Sequence, residues 1–194
     1  MCRFIVIEGP DRVGKATQTE LLRQNLTAAG HRVTKVEVPV RTNFAYHVVY
    51  WMLRNGLAKS LPRVFQWFQY FNRQVFQWFQ LPRLERDSDY IIMDRWSLST
   101  VVYGAATGVP KDFTAKLYDR LRRPDHTFII LGPSHRHEAE DIYESDTKLQ
   151  QDVRIGYSTW AMFNDDVASV LSSLEDRETT SAEIISILSR RGLL

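Results

Sequence analysis

The sequence predicts an α/β fold in which a parallel sheet of about five strands lies between helices on both faces. First, four short apolar-rich runs are typical of strands and lie at residues 4–7, 32–38, 90–93 and 126–131. Second, segments with helical spacing of apolar residues separate these runs, and strands that alternate with helices form parallel sheets. Third, no linker or low-complexity stretch divides the chain, so we expect a single domain over residues 1–194.

The first strand leads into a loop that has glycine at each end. Its four consecutive apolar residues suit a strand buried on both faces, and the loop occupies residues 9–15. From Lys15 onward the pattern becomes helical, with leucines on one face. Strand, glycine loop, lysine and helix form the context that a phosphate-binding P-loop requires. We therefore predict a three-layer P-loop NTPase fold, with a glycine turn that binds nothing as the alternative.

The predicted P-loop has the chemistry to hold nucleotide phosphates. Its backbone N–H groups can close around phosphate oxygens, the helix N-terminus adds partial positive charge, and Lys15 can reach the outer phosphates. The position after the lysine normally carries a hydroxyl that touches Mg²⁺, but here it is Ala16, with Thr17 behind it. The motif therefore lacks one expected ligand. The predicted nucleotide-binding residues are Gly9, Val13, Gly14, Lys15, Ala16 and Thr17.

The following elements are assigned in order. Gly30 is the expected C-cap of the first helix, the valine-rich residues 32–38 form the second strand, and residues 44–57 form a helix. After the third strand, helices are expected over residues 96–106 and 111–123, the fourth strand over 126–131, a helix over 148–165 and a final helix from Ser181. Residues 167–174 are ambiguous and are the candidate for a fifth strand.

An aromatic segment repeats itself between the second and third strands. Residues 64–69 recur as residues 75–80, an offset of eleven positions. Eleven residues make about three helical turns, so both copies share one face of a single long helix. One side of that helix is expected in the core. The remaining aromatics form either a dimer interface or a base pocket, and we favour core or interface because aromatics at helical spacing usually pack.

Composition limits the possible classes of function. Of the 194 residues, 44% are hydrophobic and 25% are charged, which is typical of a soluble globular protein. The net charge of +2 argues against a general nucleic-acid-binding surface. A single cysteine, Cys2, excludes an internal disulfide and suits a reducing compartment, so we expect a cytoplasmic protein. No signal peptide is expected before the first strand, and no apolar run approaches the roughly 20 residues of a membrane span.

Charged residues follow three of the predicted strands. The P-loop follows the first, Arg41 lies at the end of the second, and Asp94 with Arg95 ends the third. In a parallel sheet the ligand binds at the carboxyl ends of the strands, so these groups are expected to meet. A glycine loop and two arginines can bind two phosphorylated molecules face to face, which is the arrangement needed for phosphoryl transfer.

Five motifs in this order resemble those of thymidylate kinases, which are nucleoside monophosphate kinases of the P-loop class. They occupy residues 9–15, 39–41, 72–73, 94–100 and 141–144. The resemblance covers most of the chain. It implies ATP-dependent phosphorylation of dTMP to dTDP with ATP and Mg²⁺, no nucleic-acid or membrane partner, a homodimer, and a short lid around residues 134–146.

The resemblance also implies roles for individual residues. Arg12, Lys15 and Arg95 would be catalytic, with Arg12 offsetting charge on the transferring phosphoryl group, and Asp94 would hold Mg²⁺ through water. Asp11 would accept a hydrogen bond from the sugar 3′-hydroxyl, and Tyr103 would pack under the sugar. The substrate-binding set is Asp11, Arg41, Arg73, Arg95, Ser99, Tyr103 and Tyr143. Within it Arg41 and Arg95 clamp the acceptor phosphate, Arg73 lies along the base and phosphate, and Tyr143 closes over the nucleotide.

Some positions leave alternatives open. Arg41 and Arg73 can instead be solvated surface arginines, and Tyr143 can be a core tyrosine. Ile142 stands where another subgroup of the family has a lid arginine, and Arg12 can replace that cation. Gln69 stands where an aromatic residue is expected near the base. The alternative functions are a deoxynucleoside monophosphate kinase with a modified or broader base preference, and an inactive nucleotide-binding protein.

Overall fold

The computed structural model describes residues 1–132, 146–173 and 176–194. Its sheet contains five strands: β1 Arg3–Glu8, β2 Val33–Glu37, β3 Tyr90–Asp94, β4 His126–Leu131 and β5 Ala168–Ser172. All neighbouring strands are parallel, in the order β2-β3-β1-β4-β5. The predicted α/β fold is confirmed, including the ambiguous fifth strand. Because β1 is central, the loop that follows it opens at the middle of the carboxyl edge of the sheet.

Helices cover both faces of this sheet. In the described part of the chain they are α1 Lys15–Ala28, α2 Phe44–Arg54, α3 Leu57–Ser60, α4 Pro62–Phe79, α5 Leu81–Asp87, α6 Ser97–Ala106, α7 Lys111–Tyr118, α8 Thr147–Met162 and α9 Arg177–Arg190. Alternate residues of a strand point to opposite faces, so Ile5 and Ile7 pack against α1 and α9, whereas Phe4 and Val6 face the layer that contains α4. None of these helices is long and apolar enough to cross a membrane.

Three predicted helix boundaries were wrong. Residues 44–57 divide into α2 and α3 at Gly56, whose φ of +70° is left-handed. Helix α7 ends at Tyr118 instead of continuing to residue 123, since the backbone N–H of Arg122 donates to Gln77 Oε1 at 2.6 Å. Helix α9 begins at Arg177 because Asp176 caps it, accepting from two backbone N–H groups at 2.8 and 3.2 Å.

The aromatic repeat lies on α4 as predicted. Phe65 and Phe76, equivalent positions of the two copies, are both buried, whereas Trp67 and Trp78 are both exposed. The shared face is therefore confirmed. The predicted single domain stays a prediction, and the predicted lid lies outside the described residues except for Asp146.

Candidate active site

The loop after β1 can be built only with glycine at its first position. Gly9 has φ +146°, and a Cβ added there would lie 2.3 Å from the carbonyl oxygen of Ile130 on the neighbouring strand β4. Gly14 also has positive φ, at +87°, where the loop enters α1. Val13 is buried in the core between these glycines. The loop is thus held tightly against the sheet, with the N-terminus of α1 directed at the space above it.

Lys15 is the first residue of α1 and is almost completely buried. Its ammonium group donates to the carbonyl oxygen of Pro10 in the loop. Burial and, to a smaller extent, the nearby Arg95 lower the pKa of Lys15 to about 8, although Asp11 and Asp94 oppose this. A desolvated cation at a helix N-terminus is suited to hold anionic oxygens.

Arg95 connects strand β3 to the P-loop. Its backbone has φ +69°. One guanidinium nitrogen donates to the carbonyl oxygen of Gly9 at 3.0 Å, and another donates to the hydroxyl of Tyr103 at 3.1 Å. The guanidinium also forms an ion pair with Asp11 and lies 5.1 Å from the centroid of the Tyr103 ring. These contacts fix the cation at the edge of the sheet, beside the loop.

The Asp11 carboxylate gathers three elements around the loop. It accepts from Tyr103 of α6 at 2.7 Å and from Gln150 of α8 at 2.7 Å, in addition to Arg95. The backbone N–H of Asp11 donates in return to Gln150 Oε1 at 3.1 Å. Burial alone would raise the pKa of Asp11, but Arg95 and Lys15 outweigh it and the pKa lies below its usual value. The carboxylate is therefore ionised.

Glu8, at the end of β1, holds several site residues in place, and the sequence analysis did not identify it as a site residue. Its fully buried carboxylate accepts from the backbone N–H of Trp96 at 2.7 Å and of Ser99 at 3.2 Å, from Ser99 Oγ at 2.6 Å and from Tyr157 at 2.8 Å. It thus satisfies free N–H groups at the start of α6. The hydroxyls of Ser99 and Tyr157 each lie 3.4 Å from Arg95. The available signal was an acidic residue that directly ends an apolar strand.

A cavity of about 660 Å³ opens above these groups. Its lining residues come from the P-loop and the start of α1, from the chain at the ends of β2 and β3, and from α2, α4 and α6. Most of the predicted site residues line it: Asp11, Arg12, Gly14, Lys15, Ala16, Thr17, Arg73, Asp94, Arg95, Ser99 and Tyr103. Gly9 and Val13 are not among its lining residues, and Tyr143 lies outside the described residues.

Two of the predicted arginines have very different surroundings. Arg73 is only 2% exposed, and it donates to the carbonyl and side-chain oxygens of Gln69 at 2.9 and 3.1 Å. Burial lowers its pKa to about 10, so a solvated surface arginine is excluded here. Arg41 is exposed, lies 3.9 Å from the Glu37 carboxylate and does not line the cavity. Arg54 of α2 does line it, although the sequence did not single it out.

Comparison with known proteins agrees with this geometry. Residues 7–184 match the family model described as thymidylate kinase. The chain belongs to the thymidylate kinase family. The predicted class of enzyme, a phosphotransferase that makes dTDP from dTMP, is confirmed at the level of the family.

Individual relatives span nearly the whole chain. A thymidylate kinase of Deinococcus radiodurans is 26% identical and covers 97% of each chain, and one of Dictyostelium discoideum is 26% identical over 95% of this chain and 89% of its own. The solved structure of thymidylate kinase from Candida albicans superposes with a TM-score of 0.82 at 19% identity, covering 99% of this chain and 93% of that one. That of Ehrlichia chaffeensis gives 0.75 at 25% identity, covering 97% and 98%.

Proposed function

We propose that this chain transfers the γ-phosphoryl group of ATP to the 5′-phosphate of dTMP, giving ADP and dTDP. The observation that carries the proposal is one cavity that the P-loop lysine lines together with Arg73, Arg95 and Tyr103. Two phosphorylated molecules fit such a cavity with their phosphates facing each other. Phosphoryl transfer needs mainly positioning and charge neutralisation from the protein.

On the ATP side, the loop amides and Lys15 bind the β- and γ-phosphates. Arg12 lies within the loop and lines the cavity, with φ +63°. From this position its guanidinium can contact the γ-phosphoryl group during transfer. The negative charge of that group is spread over three oxygens in the transition state. Arg12 thereby acts mainly on the transition state and less on ground-state binding of ATP.

On the dTMP side, Arg95 and Arg73 hold the acceptor phosphate. The Tyr103 ring is fixed through its hydroxyl, which donates to Asp11, so it can pack under the sugar and oppose a 2′-hydroxyl. A carboxylate offers about four acceptor positions, and three protein donors reach Asp11. One position is left for the 3′-hydroxyl of the sugar. Ser99 acts through Glu8 and Arg95.

Asp94 is a residue of the described part of the chain that fits Mg²⁺. Its carboxylate ends β3 and lines the cavity with Lys15 and Thr17. Burial raises the pKa of Asp94, although Lys15 and Arg95 oppose this. One carboxylate, several waters and the substrate phosphates are the usual surroundings of Mg²⁺ in kinase sites. When bound, the ion supplies neutralisation of charge on the β- and γ-phosphates.

Substituting Ala16→Ser should lower the concentration of free Mg²⁺ needed for activity, with kcat equal to or above that of the parent. Ala16 is exposed in the first turn of α1 and lines the cavity, so a serine hydroxyl there adds an oxygen ligand. The measurement is the initial rate against free Mg²⁺ at saturating nucleotides for both proteins. Superimposable curves would show that the hydroxyl is irrelevant, and a parent active without any divalent ion would refute the metal-assisted mechanism.

The proposed function is tested by an assay that couples ADP formation to addition of dTMP. We expect turnover with dTMP to exceed that with dUMP, dCMP or dGMP when each is supplied with the same ATP. Purified, folded protein that forms no ADP in response to dTMP would refute the proposal.

The expected cytoplasmic location remains an inference from the single cysteine, Cys2.

We also propose that the enzyme is a homodimer joined through an aromatic patch, defined here as Phe44, Trp67 and Phe71. The Phe71 ring contacts both of the others. Its centroid lies 5.6 Å from that of Phe44 and 5.3 Å from that of Trp67. Phe44 and Trp67 are 62% and 44% exposed. Contiguous exposed aromatics commonly mark an interface, and a second copy offers the same patch across a two-fold axis.

Trp67→Glu is expected to convert this dimer to a monomer, because it places a charge within the patch. Light scattering coupled to gel filtration measures the mass. Met162→Glu is the matched control, since Met162 is an exposed apolar residue at the end of α8 and is not part of the patch. A parent that is monomeric, or a Trp67→Glu protein that stays dimeric, would refute the assignment.

A further inference from the structure

His126 is a buried histidine that the proposed mechanism does not use. It is the first residue of β4 and is 0% exposed. Its Nε2 lies 3.0 Å from the hydroxyl oxygen of Ser169 on β5, and its ring makes a T-shaped contact with Phe128, with centroids 4.8 Å apart. Within the described part of the chain, its Nδ1 is buried without a hydrogen-bond partner. Only one of its two ring nitrogens is therefore satisfied, whichever tautomer is present.

Two arginines lie near this imidazole on the same side of the sheet. Alternate residues of a strand share a face, and Arg3 stands two residues before Ile5, the register partner of His126 on β1. At the C-terminal end of α9, Arg191 donates to the backbone carbonyl oxygen of Asp165 at 2.8 Å, in the turn that leads into β5. Arg191 thus connects α9 to the start of β5 close to the buried histidine.

The acidic residues of this region do not face the imidazole. Asp125 directly precedes it in the chain, and the Asp125 carboxylate accepts from the backbone N–H of Phe4 at 2.6 Å. Asp165 and Asp166 are exposed, and it is their backbone carbonyl groups that contact Arg191. Among the described residues, Arg191 is the one charge that perturbs this imidazole, and it does so against protonation.

Protonation of His126 is therefore unfavourable in the folded protein. Burial, and to a smaller extent Arg191, lower the pKa of His126 to about 4 from an ordinary value of 6.5. The protonated ring carries an N–H on both nitrogens, so the folded state would bury an Nδ1–H that has no acceptor among the described residues. The unfolded chain binds the proton more readily. The stability given by the neutral histidine is complete above pH 6.5 and is lost as the pH falls toward 4.

We propose that His126 is an acid-sensitive switch in the fold, which loosens the contacts of β5 and of the C-terminal end of α9 with β4 when the imidazole is protonated. Both elements meet at this histidine, since Ser169 belongs to β5 and Arg191 follows α9. Strand β5 is at the edge of the described sheet and pairs there with β4 alone, so no second strand of that sheet holds it in place. The switch lies at the start of β4, at the opposite edge of the sheet from the P-loop, and is independent of the proposed function.

The test measures the equilibrium constant for unfolding in urea at pH 7 and pH 5. His126→Gln is uncharged at both values, and its amide can still bond to the Ser169 hydroxyl. With the two pKa values above, the constant should rise about twentyfold more in the parent than in this variant between pH 7 and pH 5. Equal rises in the two proteins would overturn the proposal.

His31→Gln is the matched control. His31 is partly exposed, and its ring contacts Tyr90 with centroids 5.0 Å apart, so this variant should keep the pH dependence of the parent. A His31 variant that flattens the dependence as much as His126→Gln would contradict the assignment.

Arg191→Gln tests the same switch without changing the histidine. Removing the neighbouring charge lets folded His126 bind its proton at higher pH, so the rise between pH 7 and pH 5 should be smaller than in the parent. If the fold does not tolerate His126→Gln at pH 7, this variant decides, and a rise as large as that of the parent would overturn the proposal.

Hydrogen exchange of backbone amides locates the loosened contacts. Parent and His126→Gln are compared at the same pH, so the intrinsic exchange rates cancel. At pH 5 the amides of β5 and of the last turn of α9 should exchange faster in the parent, whereas those of β3 should differ less. At pH 7 the two proteins should agree. Equal exchange of β5 in the two proteins at pH 5 would show that protonation of His126 does not act there, and the proposal would be wrong.

Discussion

Replacing Lys15 by alanine is expected to lower kcat for dTMP phosphorylation by about 10²–10³-fold or more, because the transferring phosphoryl group loses a fixed positive charge in a water-poor site. The fold should survive. Burial lowers the pKa of Lys15 to about 8 from an ordinary value of 10.5, so the folded state holds this proton less tightly than the unfolded state. The charged lysine therefore opposes folding below pH 8, and its removal should not lower Tm at pH 7.

The measurement is kcat at saturating ATP and dTMP together with Tm. Lys35→Ala is the control, since Lys35 is a partly exposed lysine on β2 that pairs with Glu20 at 2.9 Å. It should change neither kcat nor KM by more than about twofold, as expected of a surface ion pair. A well-folded Lys15→Ala protein with activity near that of the parent would refute the P-loop assignment.

Arg12→Ala is expected to reduce kcat by about a thousandfold, or about 4 kcal/mol, with little change in the KM for ATP. Arg12 has φ +63°, and alanine at that φ has a similar backbone cost, so the substitution removes the guanidinium without adding backbone strain. The absence of an arginine at Ile142 strengthens the expectation, because Arg12 supplies the cation that another subgroup of the family carries in its lid.

Steady-state kinetics over a range of ATP concentrations separates the two possible roles of Arg12. Arg12→Lys keeps the charge but not the planar fork of donors, so it should recover part of the lost kcat. If kcat in Arg12→Ala changes less than about threefold while the KM for ATP rises, Arg12 contacts the ground state and the proposed role is wrong.

The sequence alone was sufficient for the fold class and for the position of the glycine loop and its lysine. The apolar runs, the glycines at positions 9 and 14 and the lysine at position 15 are local signals, because each depends on burial or backbone conformation over a few residues. The positive φ at both glycines follows from the same local pattern. Parallel pairing also followed, because alternation of strands and helices leaves few other topologies.

Helix ends were less predictable where a distant contact decides them. The end of α7 depends on a hydrogen bond from Arg122 to Gln77, which are 45 residues apart in the chain. The start of α9 depends on a cap by Asp176, which is a local signal that the polar first turn obscured. Apolar periodicity identifies the middle of a helix better than its ends.

The polar contacts that support the site residues were decided by tertiary structure. Glu8 accepts hydrogen bonds from Ser99 and Tyr157, which lie 91 and 149 residues further along the chain, and Gln150 contacts Asp11 across 139 residues. No local pattern encodes such pairs. Buried polar groups must find partners wherever packing places them, so packing selected Glu8 and Gln150 as supports of Arg95 and Asp11.

The same distinction separates Arg41 from Arg73. Both are arginines within family-like motifs, and the sequence left a solvated alternative open for each. Packing of α4 against the sheet buries Arg73 in the cavity wall, whereas the chain after β2 leaves Arg41 exposed beside Glu37. The sequence by itself determined which cationic side chains are present and in what order. Only the tertiary structure decided which of them are buried and desolvated. That loss depends on what packs around a side chain, and neighbours distant in the chain supply most of that packing.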